Sequence, residues 1–140
     1  MFVDTNVLVY ASVPGAPDRE HARAAMAGHS AAGEVLCISR QVLREFIAVI
    51  TRSQLWMQAK TPAEAAQIAL ILAQEFNILE EGPAVWDQLV ALCHRFTFGG
   101  RQVHDANIIA TMLANGENRL LTFNVADFLR FNTLVEVVRP

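Results

Sequence analysis

The stretch "MFVDTNVLVY" at the start constrains this chain more than any other. A short apolar run closes on Asp4, then Thr5 and Asn6 intervene before a second apolar run begins. A carboxylate at the end of a buried strand, just where the chain turns, has two uses. It can cap the helix that follows, or it can serve as a fixed polar group at the edge of a sheet. Taken alone, Asp4 reads as a cap.

The rest of the sequence repeats the strand-then-helix theme. "MFV", "VLCIS", "NILE", "RLLTF" and "LVEVV" read as short strands, and "VLVYAS" as a short helix or turn. Pro14, Gly15 and Pro17 punctuate a loop. Asp18 is placed to cap a helix running to about Ala32, which Gly33 ends. Ser39 caps a helix to about Arg52, with Val42, Leu43, Phe46, Ile47 and Ile50 at helical spacing. "TPAE" is a capping box: Thr61 caps, Pro62 fits the first helical position and Glu64 reaches back, opening a helix to about Phe76. Gly82 and Pro83 open another to about Phe96, and "TFGGRQ" is a loop. "VHDANIIATMLAN" is a helix that Gly116 stops, and "VADFLRF" is a helical turn. Short, continuously apolar strands alternating with helices predict an α/β fold with a mostly parallel sheet covered on both faces. No linker, repeat or low-complexity tract divides residues 1–140, so one domain is expected.

Composition narrows the function. The chain is 53% hydrophobic with a mean hydropathy of +0.28, rich enough for a large core or a buried oligomer interface. No run reaches the roughly 18 apolar residues of a membrane span. No secretory signal is read at the start. Cys37 and Cys93 lie in apolar periodic segments and are expected to be buried free thiols, which fits a cytoplasmic protein. The net charge of −3 argues against bulk electrostatic adhesion to nucleic acid. Ten of the eleven basic residues are arginine, Lys60 being the exception. Arginine suits bidentate phosphate recognition, but composition alone is equally met by an arginine-rich genome.

In open α/β sheets, ligands bind beyond the carboxyl ends of the strands. Asp4 lies there, and so do Thr122, Phe123 and Asn124, with Asp127 a turn later. Glu45 is about a turn and a half into its helix, among Phe46, Val49 and Ile50. Asp105 lies in the first turn of its helix, ahead of Ile108, Ile109 and Met112. Each acid has an ordinary reading as a cap, a solvated helix residue or a partner of the helix dipole. Their coincidence at one edge, with no lysine nearby, is less ordinary. Clustered carboxylates raise one another's pKa unless they are protonated or bound to metal. Oxygen-only ligands select hard cations such as Mg²⁺ or Mn²⁺, which can activate water and steady charge developing on a phosphoryl group, so metal-assisted phosphodiester hydrolysis suits this constellation best.

Four segments together, "VDTNVLVYA", "SRQVLREF", "HDANIIA" and "LLTFNVADF", resemble a PIN domain, and most closely the VapC-type toxins of bacterial toxin–antitoxin pairs. The resemblance spans essentially the whole chain. It implies a three-layer α/β/α domain with a central, mostly parallel sheet of four to five strands. It also implies a metal-dependent endoribonuclease with RNA as substrate, leaving a 5′-phosphate and a 3′-hydroxyl. Asp4, Glu45 and Asp105 match the family's three principal metal-holding acids. Thr5 and Asn6 match positions that shape the site beside the first acid, and Thr122 matches a hydroxyl near the metal. Many members carry Asp where Asn124 stands here, so Asn124 or Asp127 completes the site, and Asn124 points to a weaker or single-metal centre. A homodimer and a cognate antitoxin protein are implied as well.

Arg101, in the loop before Asp105, and Arg40 and Arg44, on the helix of Glu45, are the candidates to contact RNA phosphates. For Arg40 and Arg44 a solvated face with ion pairs is an equal alternative. His104 reads as a histidine outside the reacting set. The helix "AEAAQIALILAQEF" is apolar over more than one face, which fits packing against a second protomer or an antitoxin helix. A PIN-like module that binds RNA or protein without cutting is the alternative that Asn124 keeps open. A haloacid-dehalogenase-type phosphatase or a receiver domain would need paired acids and a well-placed lysine, which Asn6 and Lys60 do not supply.

Overall fold

In the computed structural model, which describes all 140 residues, five short strands form one sheet. They are β1 (Phe2–Val3), β2 (Cys37–Ser39), β3 (Asn77–Leu79), β4 (Arg119–Leu121) and β5 (Glu136–Val138), in the order β3-β2-β1-β4-β5. Every pairing is parallel, a stricter arrangement than the mostly parallel sheet expected. The helices are α1 (Thr5–Ser12), α2 (Arg19–Ala31), α3 (Arg40–Ile50), α4 (Pro62–Glu75), α5 (Pro83–Arg95), α6 (Gln102–Ala114) and α7 (Val125–Phe128). A 3₁₀ turn, Leu129–Phe131, continues α7.

The connections from β1 to β2 and from β2 to β3 run one way across the sheet, and those from β3 to β4 and β4 to β5 run the other way. Right-handed crossovers then put α1–α4 on one face and α5–α7 on the other. The helix packing agrees: α1 touches α2 and α3, α3 touches α4, α5 packs on α6, and α6 on α7. The strand order reverses between β1 and β4, so a crevice opens at their carboxyl ends.

A continuous core of 30 buried residues draws on β1 to β4 and on helices of both layers, with Val137 and Val138 of β5 partly buried against it. Phe2, Phe46, Phe128 and Phe131 are its largest fully buried side chains, each contributing on the order of 2–3 kcal/mol by leaving water. The strands are shorter than the apolar runs that announce them. Val35, the first residue of "VLCIS", is exposed, and pairing begins only at Cys37.

Most helix boundaries fall where the sequence places them, but Asp18 does not cap α2. Its backbone is left-handed, φ +52°, and its side chain bonds no helix N–H. A capping carboxylate needs an extended backbone to reach the first turn. Asp18 lies instead 3.3 Å from the His21 ring. Both cysteines are free, and one departs from expectation: Cys37 is buried, its thiol pushed up to about 12 chiefly by burial, whereas Cys93 is exposed. No helix is long and apolar enough to cross a membrane.

The capping box of α4 forms as read. The Thr61 hydroxyl accepts from the Glu64 backbone N–H at 3.3 Å, and Glu64 accepts from the Thr61 backbone N–H at 2.8 Å. We expect Thr61→Ala to cost about 1 kcal/mol of stability. A urea midpoint equal to that of the parent chain would show that the box contributes nothing.

Candidate functional site

The sheet register builds the site. Val3 pairs with Leu121, so the next residues, Asp4 and Thr122, emerge side by side at the reversal of strand order. Asp4 is the N-cap of α1, as its short-range reading requires, and it does more than cap. Its Oδ1 accepts from the Thr5 backbone N–H at 2.6 Å. Its Oδ2 accepts from Asn6 Nδ2 and from the Thr122 hydroxyl, each at 2.6 Å. Asn6 is held in turn, because its Oδ1 accepts from the Phe123 backbone N–H at 3.0 Å. The Thr122 hydroxyl also accepts from the Asn124 backbone N–H at 3.0 Å. Thr122 is wholly buried and Asp4 is 4% exposed.

Glu45 enters from α3. Its Oε2 accepts from the Thr5 hydroxyl at 2.9 Å and its Oε1 from Gln41 Nε2 at 2.7 Å. The same Gln41 nitrogen donates to the His104 carbonyl at 2.9 Å, while Gln41 Oε1 accepts from Asn107 Nδ2 at 2.6 Å. One buried amide therefore ties the helix of Glu45 to the first turn of α6, which carries Asp105. The Asp105 carboxylate, by contrast, accepts no hydrogen bond from the protein and is half-buried.

Asp4, Thr5, Asn6, Glu45, Asp105 and Asn124 line one cavity of about 430 Å³. Burial raises the Asp4 pKa to about 6, further raised by Glu45 and Asp105 and opposed by the bonds from Thr122 and Thr5. Burial also raises Asp105 to about 6, with the Asp127 and Glu45 carboxylates adding to it and Arg130 and His104 opposing. Asp127 thus stands near Asp105, although it does not line the cavity.

The arginines divide. Arg40 pairs with Glu80 at 2.9 Å and Arg44 with Glu81 at 3.0 Å, so both adopt the ion-paired alternative. Arg101 is exposed at the start of α6 and makes no ion pair. Tyr10, Arg52, Gln54 and Trp56 also line the cavity, and no motif or periodicity announces them. Gln41 was detectable in principle, since it stands four residues before Glu45 and so on the same helix face.

No three Asp, Glu, His or Cys side chains converge on one point in the manner of ion ligands. The donor chemistry nevertheless fits a hard divalent cation. At the acidic end of the cavity Asp4, Thr5, Asn6, Glu45, Asp105 and Asn124 offer side-chain oxygens, and two of the carboxylates carry raised pKa values that a cation would relieve.

A family model described as the PIN domain matches residues 1–132. No curated protein matches the chain by sequence. Among solved structures, VapC20 of Mycobacterium tuberculosis, described as a sarcin-ricin loop cleaving toxin, superposes with a TM-score of 0.69 at 22% identity, covering 99% of this chain and 98% of that one. VapBC2 of Rickettsia felis, bound to a DNA fragment from its promoter, gives 0.68 at 18% identity, covering 99% and 97%. A toxin–antitoxin complex from Klebsiella pneumoniae gives 0.66 at 22% identity, covering 98% and 94%. These likenesses establish a shared fold. With its all-parallel sheet, its acids at the β1–β4 reversal and a family match over nearly its full length, the chain belongs to the PIN domain family.

Proposed function

We propose that this chain is a metal-dependent endoribonuclease and the toxin component of a toxin–antitoxin pair, acting as one domain over residues 1–140 in the cytoplasm. The observation that carries the reading is the meeting of Asp4, Glu45 and Asp105 on one cavity at the strand-order reversal. The family match and the named likenesses support it. RNA as substrate, a cognate antitoxin and a homodimer belong to the same reading. Exposed Leu70 and Ile71 on α4 support a covered helix face.

Asp4, Glu45 and Asp105 would hold Mg²⁺, or Mn²⁺ in its place. Such an ion, when bound, supplies water activation and neutralises charge developing on a phosphoryl group. The chain's own residues divide the remaining work. Asp4 is fixed by three donors and offers a rigid anchor for the ion. Glu45 is aimed by Thr5 and Gln41. Asp105 has both oxygens free of protein donors, so it can offer one to the ion and the other to an attacking water. Asn124 faces the cavity without adding charge, and Asp127 acts on Asp105 from outside it. Arg101 remains the candidate from the sequence to contact a phosphate; Arg40 and Arg44 could do so only by leaving Glu80 and Glu81.

We expect Asp105→Asn to abolish metal-dependent cleavage of total RNA while keeping the parent's circular dichroism spectrum. Asp4→Ala should do the same. Full cleavage by a folded variant of either kind would sink the assignment. We further expect Gln41→Leu to cost about 2 kcal/mol or more, because Asn107 and the His104 carbonyl lose a buried partner. In this variant kcat should fall with KM for RNA unchanged; a drop in stability with kcat intact would make Gln41 purely structural.

The raised acids also predict a pH dependence. In the folded chain Asp4 and Asp105 keep their protons up to about pH 6, whereas the unfolded chain releases them near 3.8. Between these values the folded state binds more protons, so stability falls as pH rises. In EDTA, the melting temperature should therefore increase on acidification from pH 7 to pH 5. Added Mg²⁺ should raise it more at pH 7.5 than at pH 5, where protons compete for the same oxygens. Equal metal-induced shifts at the two pH values would count against these acids as ligands.

A further inference from the structure

The cavity continues beyond its acids. Tyr10 follows Asp4 by six residues along α1, and Arg52 follows Glu45 by seven, just past the end of α3. At a rise of about 1.5 Å per helical residue, these offsets place both on the order of 10 Å along the helix direction from the acids they follow. Gln54 and Trp56 line the cavity with them.

Three chemistries meet there. Tyr10 and Trp56 supply aromatic surface; their rings pack edge to face with centroids 6.0 Å apart, and Phe123 supports Tyr10 at 5.2 Å. Arg52 is the cavity's only cationic residue. It donates from Nε to the Ala48 carbonyl at 3.2 Å and pairs with no carboxylate, unlike Arg40 and Arg44. The Gln54 side-chain amide makes no bond within the protein, leaving a donor and an acceptor free. The segment that carries these residues is held in place. Gln54 and Met57 exchange backbone hydrogen bonds at 2.8 and 3.3 Å, and Lys60 N–H reaches the Ile50 carbonyl at 2.8 Å. The turn sits against Gly15, where a Cβ would meet the Trp56 carbonyl oxygen at 3.2 Å in a backbone of φ +84°.

We infer that this aromatic end of the cavity is a pocket for one unpaired nucleotide next to the scissile phosphate. The base stacks against Trp56 and Tyr10, Gln54 reads its edge, and Arg52 holds its phosphate. Each part matches how proteins take single-stranded nucleic acid: a sequence-tolerant aromatic platform, a guanidinium for phosphate and an amide for the base edge. The inference rests on the proposed ribonuclease reading. It adds to that reading which part of the chain selects the RNA, and it explains how an acidic protein can hold a polyanion beside its own carboxylates.

The test uses fluorescence of the full chain carrying Trp86→Phe, which leaves Trp56 as the sole tryptophan; Trp86 is 66% exposed on α5 and does not line the cavity. In Mg²⁺, titration with each of the four nucleoside 5′-monophosphates should quench Trp56 emission saturably. Ribose 5-phosphate and inorganic phosphate should not. Arg52→Ala should weaken that binding about tenfold. With RNA, Trp56→Ala should raise KM about tenfold or more, whereas Trp56→Phe should retain most of the affinity and confirm that the fold survives. Absence of quenching by any nucleotide, equal quenching by ribose 5-phosphate, or an unchanged KM in Trp56→Ala overturns the pocket. Quenching by a co-purified antitoxin protein but by no nucleotide overturns it too. Nucleotide quenching by a chain that cuts no RNA would keep the pocket and defeat the ribonuclease reading; cutting without quenching would do the reverse.

Discussion

Asp4 is a buried carboxylate that no cation in the protein answers. Three neutral donors, the Thr5 N–H, Asn6 Nδ2 and the Thr122 hydroxyl, surround it instead. Taking an ionised carboxylate out of water is costly, and those donors recover only part of that cost, which is why its pKa stands near 6. The surrounding architecture is arranged around this cost. β1 and β4 must end level for Thr122 to reach Asp4. α1 must begin at Thr5 for its N–H to cap, and Asn6 must turn back toward Phe123. Moving any one of these breaks a bond to a buried charge.

The same arrangement links the acids to one another. Thr5 caps nothing itself, but it carries its hydroxyl to Glu45, and Glu45 is also held by Gln41, which spans to α6. The two helical layers meet over the edge of the sheet through Gln41 and Asn107. The third acid, Asp105, is left without protein donors. Rigidity at Asp4 and freedom at Asp105 are complementary, since one suits a fixed ligand and the other a carboxylate that can turn to meet what enters the cavity.

Much of this was legible in the chain itself. The alternation of short apolar runs with capped helices dictated an α/β sheet, because continuous apolar strands need cover on both faces. Asp4, Glu45 and Asp105 could be proposed for one edge because parallel topology fixes which strand ends are adjacent to ligands. What escaped notice has physical causes. Asp18 looks like a cap in one dimension, and only its left-handed backbone shows otherwise. For Arg40 and Arg44 the sequence left phosphate contact and ion pairing equally open, because their partners, Glu80 and Glu81, lie forty and thirty-seven residues away. Trp56 sits in a turn with no periodicity to betray its direction. Long-range pairings of this kind are set by tertiary structure, which local pattern does not encode.

The level ends of β1 and β4 have one more consequence, for divergence. A site placed by strand register depends on counting residues rather than on most of their identities. A one-residue insertion in β1 would turn Asp4 to the opposite face of the sheet, whereas substitutions along the outward faces of α2, α4 and α5 leave the count untouched. In such a site the spacing of residues along β1 and β4 is the tightly held quantity, and the side chains on the outward helix faces are free to change.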